Sequence, residues 1–169
     1  MVDALQFAGG KFHCPVTLYA AHPEASRTLV ILPALGVTAR MYAGLAQRLV
    51  AAGHNVLVAD WPGQGESQPR PGWRFNYGYR QLVEEFLPKL LQLARRHFPQ
   101  AVPVLLGHSL GGHIATLYAA ANPDSPVAVI GVACGNIHYR HWQGPSRVLT
   151  PSVALLFGLL ASLLGHLPG

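Results

Sequence analysis

Charge is scarce in this chain. Only 11% of its 169 residues are Asp, Glu, Lys or Arg, while 50% are hydrophobic, against about 25% charged in an average soluble domain. Much of the chain is therefore expected to be buried on both faces, as the strands of parallel sheets are. Lysine is nearly missing, with two against ten arginines and seven acids for a net charge of +5. The arginines are scattered, Arg95-Arg96 being the only adjacent pair, and without a basic stripe or interleaved aromatics a nucleic-acid partner is excluded. Cysteine is limited to Cys14 and Cys134, too few and too far apart for metal spacing, so reduced core thiols are expected rather than a disulfide or a metal site. An apolar signal segment is missing near Asp3 and Gly9-Gly10, which predicts a cytoplasmic protein. From Ser125 to Gly169 there is no Asp or Glu at all.

What is present reads as one α/β domain, with no repeat and no low-complexity segment. Ala4 to Ala8 and Phe12 to Ala21 form a hairpin pattern across Gly9-Gly10-Lys11, at an edge. Thr28 to Leu32 is a continuous apolar run ended by Pro33, the pattern of a central strand. Tyr42, Leu45, Ala46, Leu49 and Val50 share one helix face, with Gly53 as the stop. Asn55 to Ala59 is a second buried strand, and Gln68 to Asn76 is loop. A long helix is predicted from about Tyr79 to His97, with Leu82, Phe86, Leu90, Leu93 and Ala94 inward, Glu85 one turn before Lys89, and a kink at Pro88. Val102 to Leu106 is the third parallel strand. The helix after it is expected to bury Leu110, Ile114, Leu117, Tyr118 and Ala121, and Val127 to Cys134 is the fourth strand. This order predicts a three-layer α/β/α sandwich on a mostly parallel sheet with right-handed crossovers.

Between the third strand and its helix stands Gly107-His108-Ser109-Leu110-Gly111-Gly112. Strand, sharp turn and helix with a serine at the apex is the context in which G-x-S-x-G means a nucleophile elbow. Position 107 lets the turn tighten and position 111 lets helix and strand approach, both without a Cβ. Ser109 then sits at the carboxyl edge of the sheet, and the Leu110 amide, at a helix N-terminus, points where an oxyanion can form. The alternative is an ordinary serine that caps the helix.

Together with Leu32-Pro33-Ala34-Leu35-Gly36 and Asp60-x-x-Gly63-x-Gly65-x-Ser67, this motif makes the chain resemble the α/β-hydrolase superfamily. Within it the chain is similar to the serine aminopeptidase and monoacylglycerol lipase-like branch, bacterial predicted hydrolases included. The resemblance runs from the first hairpin to the start of a cap, dividing the chain into a core at 1–140 and the beginning of a cap or lid at 141–169. It implies hydrolysis of a small-molecule ester with a lipid-like acyl group, no cofactor, and a triad of serine, acid and histidine in that order. Ser109 matches the nucleophile. The second oxyanion donor, aligned without gaps through Tyr42 and Leu45, is the Leu35 amide, although Pro33-Ala34 replaces the family's His-Gly there. A plain loop leucine is the alternative. Asp60 falls at a structural position, bracing its loop. His108 is expected to line the elbow rather than act as base, and His113 to lie beyond reach.

The other half of the triad is not found. Asp124 is the one acid after Ser109, and it follows a helix about 18 Å long, at the wrong end of the sheet. His138, His141 and His166 remain, and none matches the base, which the family places two strands later. Three readings stay open: an N-terminal piece of a longer hydrolase, a short pseudohydrolase that binds a ligand or partner, or two chains that pair at the exposed sheet edge and complete the site between them. Val153 to Leu164, between Pro151 and Pro168, is almost wholly apolar. Twelve residues of helix span about 18 Å, which predicts a cap helix rather than a membrane span, with a core helix that lacks its packing partner as the alternative.

Overall fold

A computed structural model of the chain describes residues 2–7, 10–22, 24–70, 72–125, 127–135, 139–141 and 143–164. The predicted strands form one six-stranded sheet: β1 (Val2–Phe7), β2 (Phe12–Tyr19), β3 (Arg27–Leu32), β4 (Asn55–Ala59), β5 (Val102–His108) and β6 (Ala128–Val132). Their order is β1-β2-β4-β3-β5-β6. β1 and β2 are an antiparallel hairpin at one edge, β2 runs antiparallel to β4, and β4, β3, β5 and β6 are parallel.

Alternation along the strands separates two apolar layers. Leu29, Ile31, Val56, Val58, Val104 and Leu106 face Tyr42 and Ala46 of the segment containing a 3-10 turn (Ala39–Tyr42) and α1 (Ala43–Ala51). Val30, Leu32, Leu57, Ala59 and Leu105 face the opposite way, towards the helices between β4 and β5 and α4 (Leu110–Ala121). This is the predicted three-layer sandwich. α1 ends where Gly53 was read as a stop: Gly53 has φ +88, its amide bonds Val50 and that of His54 bonds Leu49, the paired closure that favours glycine.

The long helix forms with an internal irregularity. α2 (Tyr79–Gln81) passes through a π turn (Leu82–Phe86) into α3 (Leu87–His97). Pro88 has no amide proton and its ring crowds the preceding turn. The turn before it is widened, so that Leu87 N–H reaches back to the Leu82 carbonyl, a π bulge of the kind at which helices kink. The Glu85–Lys89 pair forms, at 2.8 Å.

Two expectations need correction. In α4 the buried stripe is Gly111, Gly112, Ile114, Ala115 and Tyr118, whereas Leu117 and Ala121 are exposed, because they lie off that stripe on a flank the six strands leave uncovered. The final helix, α5 (Ser146–Leu164), begins before Val153 and continues through Pro151. Its 19 residues rise about 28 Å, against the roughly 18 Å expected of twelve. The window Ser146–Leu163, with a mean hydropathy of 1.6, is long and apolar enough to cross a membrane by length and composition, and none of it is buried.

Candidate active site

Ser109 stands between β5 and α4 with φ 51 and ψ −113, a conformation that an L-residue holds only under constraint. The constraint is visible. Ser109 N–H donates to the Val132 carbonyl at 2.9 Å, and its carbonyl accepts from Gly112 and His113 at 3.0 and 3.2 Å. A Cβ on Gly107 would run into the backbone of Gly111 and Gly112, and one on Gly111 into the Leu32 carbonyl. Glycine is thus required at both positions, as the motif predicts. The Ser109 side chain makes no capping bond to α4, so the capping alternative fails and its half-buried hydroxyl is left for chemistry. Leu110 opens α4, and its amide is among those a helix leaves without an internal acceptor.

Leu32 is in register with Gly107 across β3 and β5, so the loop after β3 and the elbow leave the same edge of the sheet side by side. Each amide beside Leu35 is held by a side chain. Ala34 N–H donates to the Tyr42 hydroxyl at 2.9 Å, and Gly36 N–H to Gln64 Oε1 at 2.9 Å. Trp61 Nε1 donates to the Pro33 carbonyl at 3.0 Å, and Val37 N–H to that of Ala34 at 3.2 Å. Leu35 N–H has no acceptor among the described residues, and its side chain is exposed.

Asp60 braces the neighbouring loop, as read from the sequence. Buried at the end of β4, it accepts from Ala39 N–H at 2.6 Å and Glu66 N–H at 3.0 Å, and a Cβ on Gly65 would collide with its carboxylate. His108 Nδ1 lies 2.8 Å from the Tyr42 hydroxyl, and no hydrogen bond joins its ring to Ser109 among the described residues. His113 Nε2 is 3.3 Å from the Gly135 carbonyl. His141 is exposed, while His138 and His166 lie outside the described residues. Asp124 is exposed beyond the far end of α4. Among the described residues no carboxylate and imidazole meet at Ser109.

An acid–histidine pair does exist elsewhere. His97 Nε2 and Asp3 Oδ2 are 2.9 Å apart, and that bond, with help from Ala4 N–H, holds the Asp3 carboxyl below its ordinary 3.8. His97 ends α3 and borders a cavity of about 400 Å³ lined also by His22, Asn55 and Gln100. That cavity lies at the amino ends of the parallel strands, so neither it nor the pair serves Ser109. Cys14 and Cys134 are both free thiols, and burial pushes Cys14 up to about 11. Among the described residues no cluster of His, Cys, Asp or Glu could hold a metal.

Sequence reasoning missed Tyr42 and Gln64. Tyr42 was read only as part of a helix face and Gln64 only as the variable residue between Gly63 and Gly65. A hydroxyl and an amide oxygen placed beside a loop that lacks His-Gly were the available signal.

A family profile described as alpha/beta hydrolase fold matches residues 27–152. Among curated proteins, a 2-hydroxy-6-oxononadienedioate/2-hydroxy-6-oxononatrienedioate hydrolase of Cupriavidus pinatubonensis is 35% identical over 119 residues, 68% of this chain and 36% of its own length. Lipoprotein lipase of Neovison vison is 27% identical over 154 residues, 86% of this chain and 31% of its own length. Among solved structures, a thermostable carboxyl esterase from Bacillus coagulans superposes with a TM-score of 0.65 at 20% identity, covering 78% of this chain and 43% of that one. The chain thus spans about a third of the length of these two curated relatives.

Proposed function

The chain belongs to the α/β-hydrolase fold family, and on that premise we propose that it carries the nucleophile half of a serine esterase. The observation that carries this reading is the uncapped Ser109 hydroxyl on a turn held at φ 51. In the reaction, Ser109 Oγ attacks the ester carbonyl carbon while a histidine takes its proton. The carbonyl oxygen gains the negative charge between the amides of Leu35 and Leu110. The carbon–oxygen bond to the alcohol then breaks, the alcohol leaves with the histidine's proton, and water releases the acyl group from Ser109. The acid and histidine come from outside the described residues, in the rest of a longer chain or across an interface. The similarity to a lipase and the apolar α5 favour a lipid-like acyl group and the monoacylglycerol lipase-like branch. They also favour residues 141–169 as the beginning of a cap over a core at 1–140.

A second reading is a binding module that uses the same pocket without turnover, favoured by the lack of a carboxylate–imidazole pair at Ser109 among the described residues. Labelling with a fluorophosphonate probe separates the two. Ser109-dependent labelling, lost in Ser109→Ala, supports the esterase. A folded chain that takes no label at Ser109, yet keeps affinity for an apolar ester after Ser109→Ala, supports the binding module.

A further inference from the structure

Leu35 sits in a loop that lacks the His-Gly of the wider resemblance, yet the loop is not loose. Tyr42, only 8% exposed, accepts from Ala34 N–H, and its hydroxyl also lies within hydrogen-bond distance, 2.8 Å, of Nδ1 of His108, the residue beside the nucleophile. The rings of Tyr42 and His108 meet edge to face with centroids 6.1 Å apart. On the other side, Gln64 accepts from Gly36 N–H, and its amide also bonds the Tyr77 phenol. The peptide groups before and after Leu35 are therefore each fixed to a separate part of the fold, one to the elbow and one to the Asp60 loop. Fixing both neighbours fixes the direction of the amide between them. Of the amides of residues 34, 35 and 36, that one alone has no acceptor among the described residues.

We infer that Tyr42 and Gln64 are positioning residues that together aim Leu35 N–H at the oxyanion site, doing in this chain what His-Gly does elsewhere. The inference rests on the esterase reading for its purpose, while the clamp is a property of the free chain. An oxyanion donor contributes only if it is already oriented when charge develops. Neither clamp touches substrate; each acts through the Leu35 peptide group. Gly36 N–H needs only an acceptor, so a carboxylate at position 64 serves it as an amide does.

The test uses the full chain with Tyr42→Phe, Gln64→Met and Gln64→Glu, each checked for an unchanged thermal midpoint class by circular dichroism and an intact amide spectrum. With a fluorophosphonate probe, Tyr42→Phe and Gln64→Met should label Ser109 about tenfold to a hundredfold more slowly than the parent, and Gln64→Glu should recover most of the rate. In the labelled parent the Leu35 amide proton should move downfield as it donates to the phosphonyl oxygen, and in the two weakened variants that movement should be lost. Parent-like rates together with a parent-like Leu35 shift in both would overturn the inference. If the parent itself takes no label, turnover by this chain without the rest of a triad fails separately, and the unlabelled chain decides about the clamp. There, the Leu35 backbone resonances must shift or broaden in Tyr42→Phe and Gln64→Met and return in Gln64→Glu; resonances that stay in place in all three variants sink it.

Discussion

Ser109 is held where glycine would be more comfortable, and its neighbours supply the restraint: an amide bonded to Val132 below and two helix amides bonded to its carbonyl above. Such a residue stores about 1–3 kcal/mol. Ser109→Gly should release part of it and raise unfolding stability by about 1 kcal/mol relative to Ser109→Ala, reversing the usual order of these residues near a helix. Urea midpoints of the two variants check this, and an alanine variant as stable as the glycine one would show that the turn is unstrained. The serine, both motif glycines and the Asp60 brace were legible in the sequence, because each is demanded by backbone geometry that a short motif encodes. Tyr42 and Gln64 were not. Their roles depend on which loops become neighbours across the sheet, and local spacing is silent about that.

At the scale of elements, hydrophobic periodicity located every strand and helix core, since each parallel strand is a short run bounded by turn residues. It erred where burial depends on what lies beyond the element. Leu117 fits a helical face as well as Ile114 does, yet Ile114 is fully buried and Leu117 is 46% exposed. Ile114→Ala should therefore cost about 2–5 kcal/mol, and Leu117→Gln less than about 0.5 kcal/mol, both read from denaturant unfolding of the same preparation. Similar losses at the two sites would mean that another surface covers Leu117 in solution. Pro88 shows the converse limit. Its place in the helix was visible from sequence, but the π turn at Leu82–Phe86 was not, because a proline pattern does not say how the backbone absorbs the ring.

On the scale of the whole molecule, apolar surface is left without cover. β6 exposes Ile130 and Val132, and α5 exposes Val148, Leu149, Leu155, Phe157 and Leu163. An outer strand with unpaired backbone groups and exposed apolar side chains is a template for association. Sedimentation velocity of the isolated chain should show assembly that grows with concentration, and Ile130→Lys should shift it towards monomer. A monomer at every concentration would remove pairing between chains from the possible sources of the missing acid and base. The absence of acids after Asp124 was plain in the sequence. The length of α5 was not, because Pro151 reads as a boundary in a linear pattern while the helix continues through it.

The bond from Ser109 N–H to the Val132 carbonyl also sets a mechanical linkage. The Ser109 turn is latched to the last residue of β6, the outermost of the described strands, and an outer strand is the part of a sheet that frays first. Peeling of β6 would open the latch and leave the centre of the core shut. Whatever pairs with that margin, whether more of the same polypeptide or another copy, would tighten the Ser109 turn from a distance without touching it.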